Sequence, residues 1–412
     1  MNRPPKILFF FTSDYPIGSG EPFIENEIKY LSNAFSKVVI ISNNISSNQK
    51  RTIPKNCFTE KISYQINSKY CWLSAFRMTF WKELFIILFH YKIKLTRSIL
   101  NTMVVSLCKI SSFKKPIYEI INHHSSNTDI KILYSYWAND IALAVSHYGK
   151  KNHIKSFTRA HGWDVYFEIN KVKYLPYRSL LFANLDKVFF ISNDGINYYK
   201  KKLPKYSLKY SLSRLGVCEN SIINTGNRNI LSLVSCSNIV PLKRIDLIIE
   251  ALSILETIPI KWIHIGDGVL INKLKSLSKE KLLFKRNIKF EFCGQKSNQE
   301  VIKFYKNNIV NLFINVSQSE GIPVSIMEAM SFGIPVLATN VGGTPEIVKN
   351  GINGFLLSQD PTPKEIAETI LKFHNLSEDE KLTLQKNAYN TWKNKFNAEK
   401  NYQEFVDIIL SL

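Results

Sequence analysis

Short apolar runs alternate with longer amphipathic stretches along most of the chain. Runs of about four to eight apolar residues, rich in β-branched side chains, are typical of strands buried on both faces of a sheet. Their alternation with helical patterns predicts an α/β protein with parallel sheets. The predicted strands of the N-terminal half are 7–11, 37–41, 131–134, 154–158 and 187–191, and those of the C-terminal half are 230–235, 260–265, 287–293, 310–315 and 335–338.

Apolar residues at helical spacing predict helices between and after these strands. Residues 42–67 are polar, and we expect them to be irregular. The predicted helices are 23–31, a helix ending near 148, 175–185, 193–202, a helix opening at 238 and ending near 256, 297–307, 324–330, 364–373, 379–396 and 399–410.

The first strand is followed by a loop with Gly18 and Gly20 and then by a helix. A strand, a glycine-bearing loop and a helix are how a Rossmann-like domain begins. The spacing is not G-x-G-x-x-G, so it does not indicate a nicotinamide-binding site. A plain turn between strand and helix remains the alternative for this loop.

The length of 412 residues is too great for one small core, so we expect two domains. A stretch containing Gly and Asn, 218–229, is the predicted linker between them. The predicted boundaries are 1–218 for the first domain, 219–396 for the second and 397–412 for a final helical segment.

The most informative stretch is 313–357, which predicts two strand–loop–helix units side by side. Pro323 suits the first turn of a helix, and Gly333 suits its end. Exposed N–H groups and the helix dipole at such a start favour phosphate. Glu320 lies just before this helix and Glu328 about two turns into it, where carboxylates can accept hydrogen bonds from sugar hydroxyls. Alternatively, Glu320 is a partner of the helix dipole and Glu328 a solvated residue.

The block E-G-I-P-V-S-I-M-E, followed by G-I-P-V-L-A-T-N-V-G-G-T-P-E-I-V and N-G-F-L-L, resembles the donor-site signature of retaining glycosyltransferases of family 4. The match runs without a gap over 319–357. This resemblance implies the GT-B fold, in which two Rossmann-like domains face a cleft and a C-terminal helix packs back on the first domain.

The resemblance also implies roles for single residues of the second domain. Glu320 would hold hydroxyls of the donor sugar, Glu328 the ribose, and Lys243 the donor diphosphate. A cation at a helix start is unfavourable for the dipole, which also favours a functional role for Lys243. The implied donor site comprises Lys243, Glu320 and Glu328 together with Asn238, Arg244, Gly266, Gly321, Ile322, Pro323 and Val324.

One position departs from the family pattern, because Asn238 stands where the family has an Arg. Three explanations remain open: Arg244 compensates, the basic surroundings compensate, or the donor phosphates are held more loosely.

In the first domain, His161 follows a predicted strand and precedes a glycine and an Asp. Polar groups at the carboxyl ends of parallel strands are where α/β sheets bind ligands. The resemblance implies that His161 lies near the reacting centre, and that the loop with Gly18 and Gly20 lies on the acceptor side. A structural histidine is the alternative.

The formal charge of +21 requires an anionic partner or a compositional bias towards Lys. No nucleic-acid-binding module is recognisable, so we expect no nucleic acid. The segment 69–115 combines many apolar residues with nine cations and a single acid, Glu83. This pattern is typical of an interfacial helix on anionic lipid, while an ordinary pair of helices packed on the sheet is the alternative. The two descriptions are compatible, since they concern opposite faces. The nine cations are Lys69, Arg77, Lys82, Lys92, Lys94, Arg97, Lys109, Lys114 and Lys115.

Neither a signal peptide nor a transmembrane stretch is recognisable. The six cysteines are scattered without a C-x-x-C pair, and we expect them to be reduced, buried thiols of a cytoplasmic protein. The chain has no Asp-x-Asp, so we expect neither a metal nor another cofactor.

The resemblance implies a retaining glycosyltransferase that acts on a nucleotide sugar and a saccharide acceptor, and the lack of Asp-x-Asp predicts that it is metal-independent. The basic segment favours a lipid-linked acceptor (a polyprenyl diphosphate) at the inner face of the plasma membrane, as in surface polysaccharide synthesis. A catalytically silent GT-B scaffold at the membrane and a nucleotide-sugar epimerase are the alternatives. The donor base, the donor sugar and the linkage formed are not readable from the sequence.

Overall fold

The computed structural model describes residues 4–18, 20–43, 51–63, 71–220 and 230–412. Most of the predicted linker, at 221–229, and the first cation of the basic segment, Lys69, lie outside the described residues. The chain divides into two compact units, one of Met1–Ser213 with Tyr402–Leu412 and one of Arg214–Asn401. Each unit contains a parallel sheet with helices, which confirms the predicted α/β class with two Rossmann-like domains.

The sheet of the first unit has the order β3-β2-β1-β4-β5-β6-β7, with every pair parallel. Its outer strands β3 and β7 were not predicted, because β3 is half exposed and polar and β7 is only three residues long. The strands are β1 Lys6–Thr12, β2 Lys37–Ser42, β3 Cys57–Lys61, β4 Ile130–Ser135, β5 Lys155–Ala160, β6 Lys187–Phe190 and β7 Tyr210–Leu212.

Six described α-helices belong to this unit. The predicted pair of helices in the basic segment is present as α2 and the long α3, with a 3₁₀ turn at Trp72–Phe76 and a π-helical turn at Ile86–His90 beside α2. The helices are α1 Ile24–Ala34, α2 Met78–Phe85, α3 Arg97–His124, α4 Asp140–Lys151, α5 Arg178–Asn184 and α6 Asn193–Lys202. None of the helices among the described residues is both long enough and apolar enough to cross a membrane.

The sheet of the second unit has the order β10-β9-β8-β11-β12-β13, again with parallel pairs. Its strands are β8 Leu231–Cys236, β9 Ile260–Ile265, β10 Ile288–Phe292, β11 Leu312–Asn315, β12 Val336–Thr339 and β13 Gly354–Leu357. Its helices are α7 Ile245–Ile254, α8 Ile271–Leu282, α9 Asn298–Asn307, α10 Val324–Ser331, α11 Thr344–Ile347, α12 Pro363–His374 and α13 Glu378–Lys395.

The helix predicted to open at 238 begins later than expected. A 3₁₀ turn covers Pro241–Lys243, and Arg244 adopts a left-handed conformation with φ of 48° before α7 starts at Ile245. Pro241 disfavours α geometry in the residue before it, so the helix does not include 238–240, and the left-handed backbone of Arg244 separates the 3₁₀ turn from α7.

The last helix, α14 Ala398–Ser411, packs on the first unit from Tyr402 onward. The ring of Phe405 lies 5.3 Å from that of Tyr134, and the guanidinium of Arg159 lies 4.1 Å above the Phe405 ring. The return of the C-terminal helix to the first domain is therefore confirmed.

The prediction of six reduced, buried cysteines is wrong in two respects. Cys71 and Cys108 form a disulfide that links the start of the 3₁₀ turn to α3. Of the other four, Cys218 is exposed and only Cys57 is fully buried. The pairing was not foreseen because 37 residues separate the two positions, and only the packing of the turn on α3 brings them together.

Candidate functional site

The strand order of the second unit reverses between β8 and β11, which are neighbours although two strands separate them in sequence. Ligands of open α/β sheets bind outside the carboxyl ends of the strands at such a reversal. The loops that leave β8 and β11 here are 237–244 and 316–323. These loops contain seven of the ten residues predicted to bind the donor.

Lys243 and Glu320 meet at this point. The Lys243 ammonium lies 2.5 Å from Oε1 of Glu320, and the Asn315 amide donates to the same oxygen at 3.4 Å. The two side chains are 21% and 11% exposed, so the pair is partly shielded but open to a ligand. The backbone N–H of Gln318 donates to the Leu242 carbonyl at 2.8 Å, which joins the two loops beside the pair.

The start of α10 lies directly after this pair. Pro323 precedes the helix, and no described side chain caps its first turn. The N–H of Ile326 donates to the Pro323 carbonyl at 3.2 Å, which leaves the N–H groups of Val324 and Ser325 available to an anion. Ile322 and Pro323 are buried, whereas Gly321 and Val324 are partly exposed.

A turn that contains Gly342 and Gly343 packs against the loop that carries Glu320. Gly342 has φ of 49°, and a Cβ there would lie only 1.9 Å from the Glu320 carbonyl oxygen. The N–H of Gly343 approaches the same oxygen at 3.4 Å. Only glycine fits at 342, because the position requires both a left-handed backbone and a close approach.

Glu328 is buried, with 6% of its surface exposed, and accepts a hydrogen bond from the Asn298 side-chain amide at the start of α9. Burial raises the pKa of the Glu328 carboxyl to about 7, and the Asn298 amide offsets this only in part. The alternative of a solvated helix residue is therefore wrong. Near Glu328, Cys236 at the end of β8 has a thiol pKa raised mainly by burial and also by the Glu328 charge.

The Arg244 guanidinium is hydrogen-bonded to other residues of the second unit. Its Nε donates to the Val316 carbonyl at 2.8 Å, and its terminal nitrogens contact the Ser317 carbonyl and the Asp360 carboxylate. These bonds orient the guanidinium towards the base of the loop that carries Glu320. A direct contact of Arg244 with the donor stays a prediction, and its geometry favours a positioning role.

Asn238 is exposed and lies in the same loop as Lys243. Gly266, after β9, has φ of 143°, and a Cβ there would lie 1.9 Å from the Ser237 carbonyl oxygen. Gly266 therefore lets the loop after β9 approach the loop after β8 closely.

In the first unit, His161 follows β5 and is 7% exposed. Its ring lies 4.4 Å from that of Trp137 and 4.6 Å from that of Tyr136. Among the described residues neither ring nitrogen has a hydrogen-bond partner, and Nδ1 lies 3.9 Å from Oδ2 of Asp164. Because buried polar groups are normally hydrogen-bonded, both ring nitrogens are available to a water molecule or a ligand.

Asp164 fixes the turn that carries His161. Its two carboxylate oxygens accept from the backbone N–H groups of His161 at 2.7 Å and Ala138 at 2.9 Å. Burial alone would raise the pKa of Asp164, but the imidazole and these donors hold that pKa below its usual value. The carboxylate thus stays charged beside the imidazole.

Sequence reasoning missed Glu21, which orders the loop after β1. Its carboxylate accepts from the N–H groups of Ser13 at 3.0 Å and of Asp14 and Tyr15 at 2.7 Å, and also from the Trp137 indole. Because Trp137 packs on His161, Glu21 fixes one wall of the histidine site. An acid next to a glycine in the loop after the first strand was the available signal, but its partner lies 116 residues away.

The two glycines predicted on the acceptor side lie in this same loop. The Arg51 guanidinium donates to the carbonyl oxygens of both Gly18 and Gly20. Gly18 has φ of 78°, and a Cβ on Gly20 would collide with the Asp14 carboxylate at 1.9 Å. The left-handed backbone at Gly18 thus favours glycine, whereas at Gly20 the Asp14 side chain would have to move to admit a Cβ.

Within the described part of the chain, one group of three side chains has donor atoms close enough to share a metal ion: Glu60, His123 and His124. His124 Nε2 already lies 2.7 Å from Glu60, and the Lys37 ammonium donates to the His124 carbonyl at 3.0 Å. The neighbouring ammonium disfavours a second cation, so an ion pair between strand and helix explains the group.

Comparisons with known proteins concern the family and the fold of the chain. Residues 224–391 match the family model described as Glycosyl transferases group 1. An uncharacterized glycosyltransferase of Methanocaldococcus jannaschii is 29% identical over 286 residues, which cover 69% of this chain and 76% of that protein. The UDP-Gal:alpha-D-GlcNAc-diphosphoundecaprenol alpha-1,3-galactosyltransferase of Escherichia coli is 27% identical over 158 residues, so the match spans only 37% of each protein.

Likeness to solved structures extends over the whole chain. The crystal structure of Anabaena HepE in complex with UDP and glucose aligns with a TM-score of 0.66 and 15% identity, covering 99% of this chain and 100% of that one. At this identity the likeness shows the fold, which is GT-B. Residues 224–391 are therefore similar to Glycosyl transferases group 1, the fold of the chain is GT-B, and the comparisons support a glycosyltransferase.

Proposed function

We propose that this protein is a retaining glycosyltransferase of family 4 that transfers a sugar from a nucleotide diphosphate sugar to a saccharide acceptor. The observation that carries the proposal is the Lys243–Glu320 pair, held 2.5 Å apart at the strand reversal and directly before the start of α10. A cation, an acid that accepts from hydroxyls and free helix N–H groups together suit a diphosphate joined to a sugar.

The leaving group in this reaction is a nucleoside diphosphate, and its developing charge must be neutralised. Lys243 and the first N–H groups of α10 supply positive charge at the same point, which is the arrangement that stabilises a charged leaving group. The chain has no Asp-x-Asp, and we propose that these groups act without a metal.

The two acids of the donor site would bind different parts of the donor. Glu320 would accept from hydroxyls of the transferred sugar, and Glu328 from the ribose, in keeping with its place deeper in the unit. His161, with both ring nitrogens unpartnered among the described residues, would contact the reacting sugar or the acceptor.

For the acceptor, we propose a lipid-linked saccharide used in building capsule, exopolysaccharide or O-antigen. The E. coli relative is named for an acceptor linked to diphosphoundecaprenol. The formal charge of +21 would attract the enzyme to anionic lipid. We propose that it acts at the inner face of the plasma membrane.

The donor site is tested by thermal shift with UDP-, GDP- and ADP-sugars, using the wild type and Glu328→Ala. We expect one nucleotide class to stabilise the wild type and to stabilise the variant less, because binding to the folded state raises the melting temperature. This result would also identify the base. Stabilisation that is equal in both proteins would remove Glu328 from the site.

The role of Lys243 is tested by the rate of sugar transfer. We expect Lys243→Ala to lower kcat by on the order of 10- to 100-fold, since a hydrogen bond to a charged group contributes about 1.5–3 kcal/mol. Lys261→Ala is the matched control, because Lys261 is an exposed lysine on β9 of the same unit. A Lys243→Ala variant as active as the control would overturn the proposed mechanism.

One observation favours a second candidate, a catalytically silent scaffold. Asn238 occupies the position where the resembled family has an Arg, and the guanidinium of Arg244 is already hydrogen-bonded to its own unit. If no nucleotide sugar binds and Asn238→Arg restores binding, the scaffold explanation gains support over the enzyme.

A further inference from the structure

Exposed apolar side chains are concentrated in one short part of the first unit. Across the rest of the described chain, large exposed hydrophobic residues are scattered, which is normal for a protein surface. Within 72–89 they form a continuous group, which we call the aromatic face. Its members are Trp72, Leu73, Phe76, Met78, Trp81, Phe85, Leu88 and Phe89, each between 41% and 74% exposed.

The rings of this face include two contacting pairs. Phe85 and Phe89 have ring centroids 4.5 Å apart, and Trp72 and Phe76 lie 5.7 Å apart. Within this short segment, exposed rings therefore lie next to one another and are not scattered singly. Moving each exposed ring out of water would lower the free energy of the system.

The opposite side of the same segment is firmly packed on the first unit. Phe80, Glu83 and Ile87, at helical spacing, are all buried. The Glu83 carboxylate accepts from the Tyr174 hydroxyl at 2.7 Å and from the Tyr177 N–H at 3.0 Å. A helix that is apolar on its outer side while anchored on its inner side must bury that outer side against something else.

Charge around the aromatic face is of one sign. The only acid among residues 71–97 is Glu83, which is buried, so the exposed charges of this stretch are all positive. The exposed cations are Arg77, Lys82, Lys92, Lys94 and Arg97. Such a surface attracts an anionic partner, and it would repel a second copy of itself across a symmetric contact.

We infer that the aromatic face inserts into the headgroup region of an anionic phospholipid bilayer. The apolar side chains enter the acyl boundary, and the long stems of Lys82, Lys92 and Lys94 let their ammonium groups reach lipid phosphates. Tryptophan and phenylalanine beside lysine are the residues that interfacial segments use. A protein groove would need acidic side chains placed opposite these cations. An anionic membrane presents negatively charged headgroups over its whole surface.

This inference rests on the membrane part of the proposed function and makes it more specific. It assigns insertion to the rings of 72–89, while the buried side of α3 belongs to the hydrophobic core of the first unit. On this inference only residues 72–89 of the basic segment 69–115 contact lipid.

The test is sedimentation of the full-length protein with vesicles of phosphatidylcholine, with and without phosphatidylglycerol. We expect the wild type to bind the anionic vesicles and the variant Trp81→Ser/Phe85→Ser/Phe89→Ser to partition on the order of 100-fold more weakly, since three rings no longer leave water. The control Leu283→Ser/Phe284→Ser removes two comparably exposed apolar side chains, 62% and 88% exposed, from the second unit and should bind as the wild type does.

A second readout reports insertion itself. Trp72 and Trp81 are each 58% exposed, so brominated lipid should quench their fluorescence when the face enters the bilayer. We expect quenching to persist at salt concentrations that screen charge, because ring insertion does not depend on the Debye length. Binding that vanishes with salt and gives no quenching would replace insertion by electrostatic adsorption and overturn the inference.

Two further outcomes would also overturn it. One is a wild type that ignores anionic vesicles. The other is a dimer in solution that the triple variant abolishes, because the face would then cover a second copy. Donor binding in the absence of vesicles should be equal in the wild type and the triple variant. Failure of the membrane inference is thereby distinguished from failure of the proposed transferase, in which the wild type binds vesicles but no nucleotide sugar.

Discussion

At the scale of single residues, the two acids of the donor-site block have different environments. Glu320 is partly exposed and paired with Lys243, whereas Glu328 is buried and bonded to an uncharged amide. Burial without a cation favours the neutral form of a carboxyl group, which is why the pKa of Glu328 is raised to about 7.

Donor binding should therefore depend on pH through Glu328. The ionised carboxylate accepts two hydroxyl hydrogen bonds and the protonated form fewer, so we expect nucleotide-sugar affinity to rise as the pH increases through about 7. Titration calorimetry at several pH values should show this rise in the wild type and a flat, weaker profile in Glu328→Gln. An unchanged pH profile in the variant would assign the dependence to another group.

The raised pKa of Glu328 also determines how the free energy of unfolding changes with pH. An unfolded glutamate loses its proton near pH 4.3, whereas folded Glu328 keeps it to about 7. Between these values the folded state binds more protons, so Glu328 lowers the free energy of unfolding as the pH rises through this window. Denaturant unfolding of Glu328→Gln should lack that part of the decline, which amounts to roughly 4 kcal/mol.

Glu21 is the positioning residue that we expect to matter most in the first unit. Replacing it by Ala removes the acceptor of three N–H groups and of the Trp137 indole. We expect Glu21→Ala to lower the unfolding free energy by about 3 kcal/mol or more and kcat by on the order of 10-fold, with little change in donor affinity.

Glu21→Gln separates positioning from mere stability. Its amide oxygen can still accept from the loop, so part of the kcat loss should be recovered and Trp137 fluorescence should return towards that of the wild type. Equal kcat in the wild type and Glu21→Ala would show that the loop does not position the reacting groups.

At the scale of elements, the glycine turn before α11 supports the loop that precedes α10. Gly342 and Gly351 both have left-handed backbones, but only Gly342 would bring a Cβ against other atoms, at 1.9 Å from the Glu320 carbonyl. The two positions therefore separate backbone strain from displacement of the Glu320 loop.

We expect Gly342→Ala to weaken donor binding at least 10-fold, because the Glu320 loop must shift to admit the methyl group. Gly351→Ala should cost only about 1–2 kcal/mol of stability from backbone strain and should leave donor affinity unchanged. Calorimetry and denaturant unfolding of both variants give the comparison. Equal donor affinity in the two would mean that the turn does not control the loop.

At the scale of the whole molecule, the chain leaves the first unit, builds the second and returns to complete the first. Arg159 and Glu27 form a fully buried ion pair in the first unit, and Phe405 from α14 covers the guanidinium. The first unit is therefore not complete until the last residues of the chain have been added.

Phe405→Ala should lower the unfolding free energy of the first unit by about 3–5 kcal/mol, the usual cost of removing a buried aromatic ring. Hydrogen exchange should accelerate in β4 and β5 and remain unchanged in β8 and β9. Glu404→Ala, an exposed neighbour on the same helix, is the control. Equal acceleration in both sheets would contradict an effect confined to the first unit.

The sequence alone determined the elements and the loops that carry the site. Apolar periodicity and the punctuation by Pro and Gly are local signals, so β1, β9, α6 and α10 were predicted within a residue or two of their ends. The half-exposed β3 and the three-residue β7 lack such a signal. The resemblance of 319–357 to a known donor site likewise depends only on consecutive residues.

Only the tertiary structure decided which side chains meet. Lys243 and Glu320 are 77 residues apart, Asn298 and Glu328 are 30 apart, and Glu21 and Trp137 are 116 apart. Each pair depends on the order in which strands lie in a sheet, and that order is not encoded in any local pattern. The sequence predicted an interfacial segment within 69–115, but only the structure showed which of its apolar residues face solvent, because apolar residues at helical spacing look the same whether they face a core or solvent.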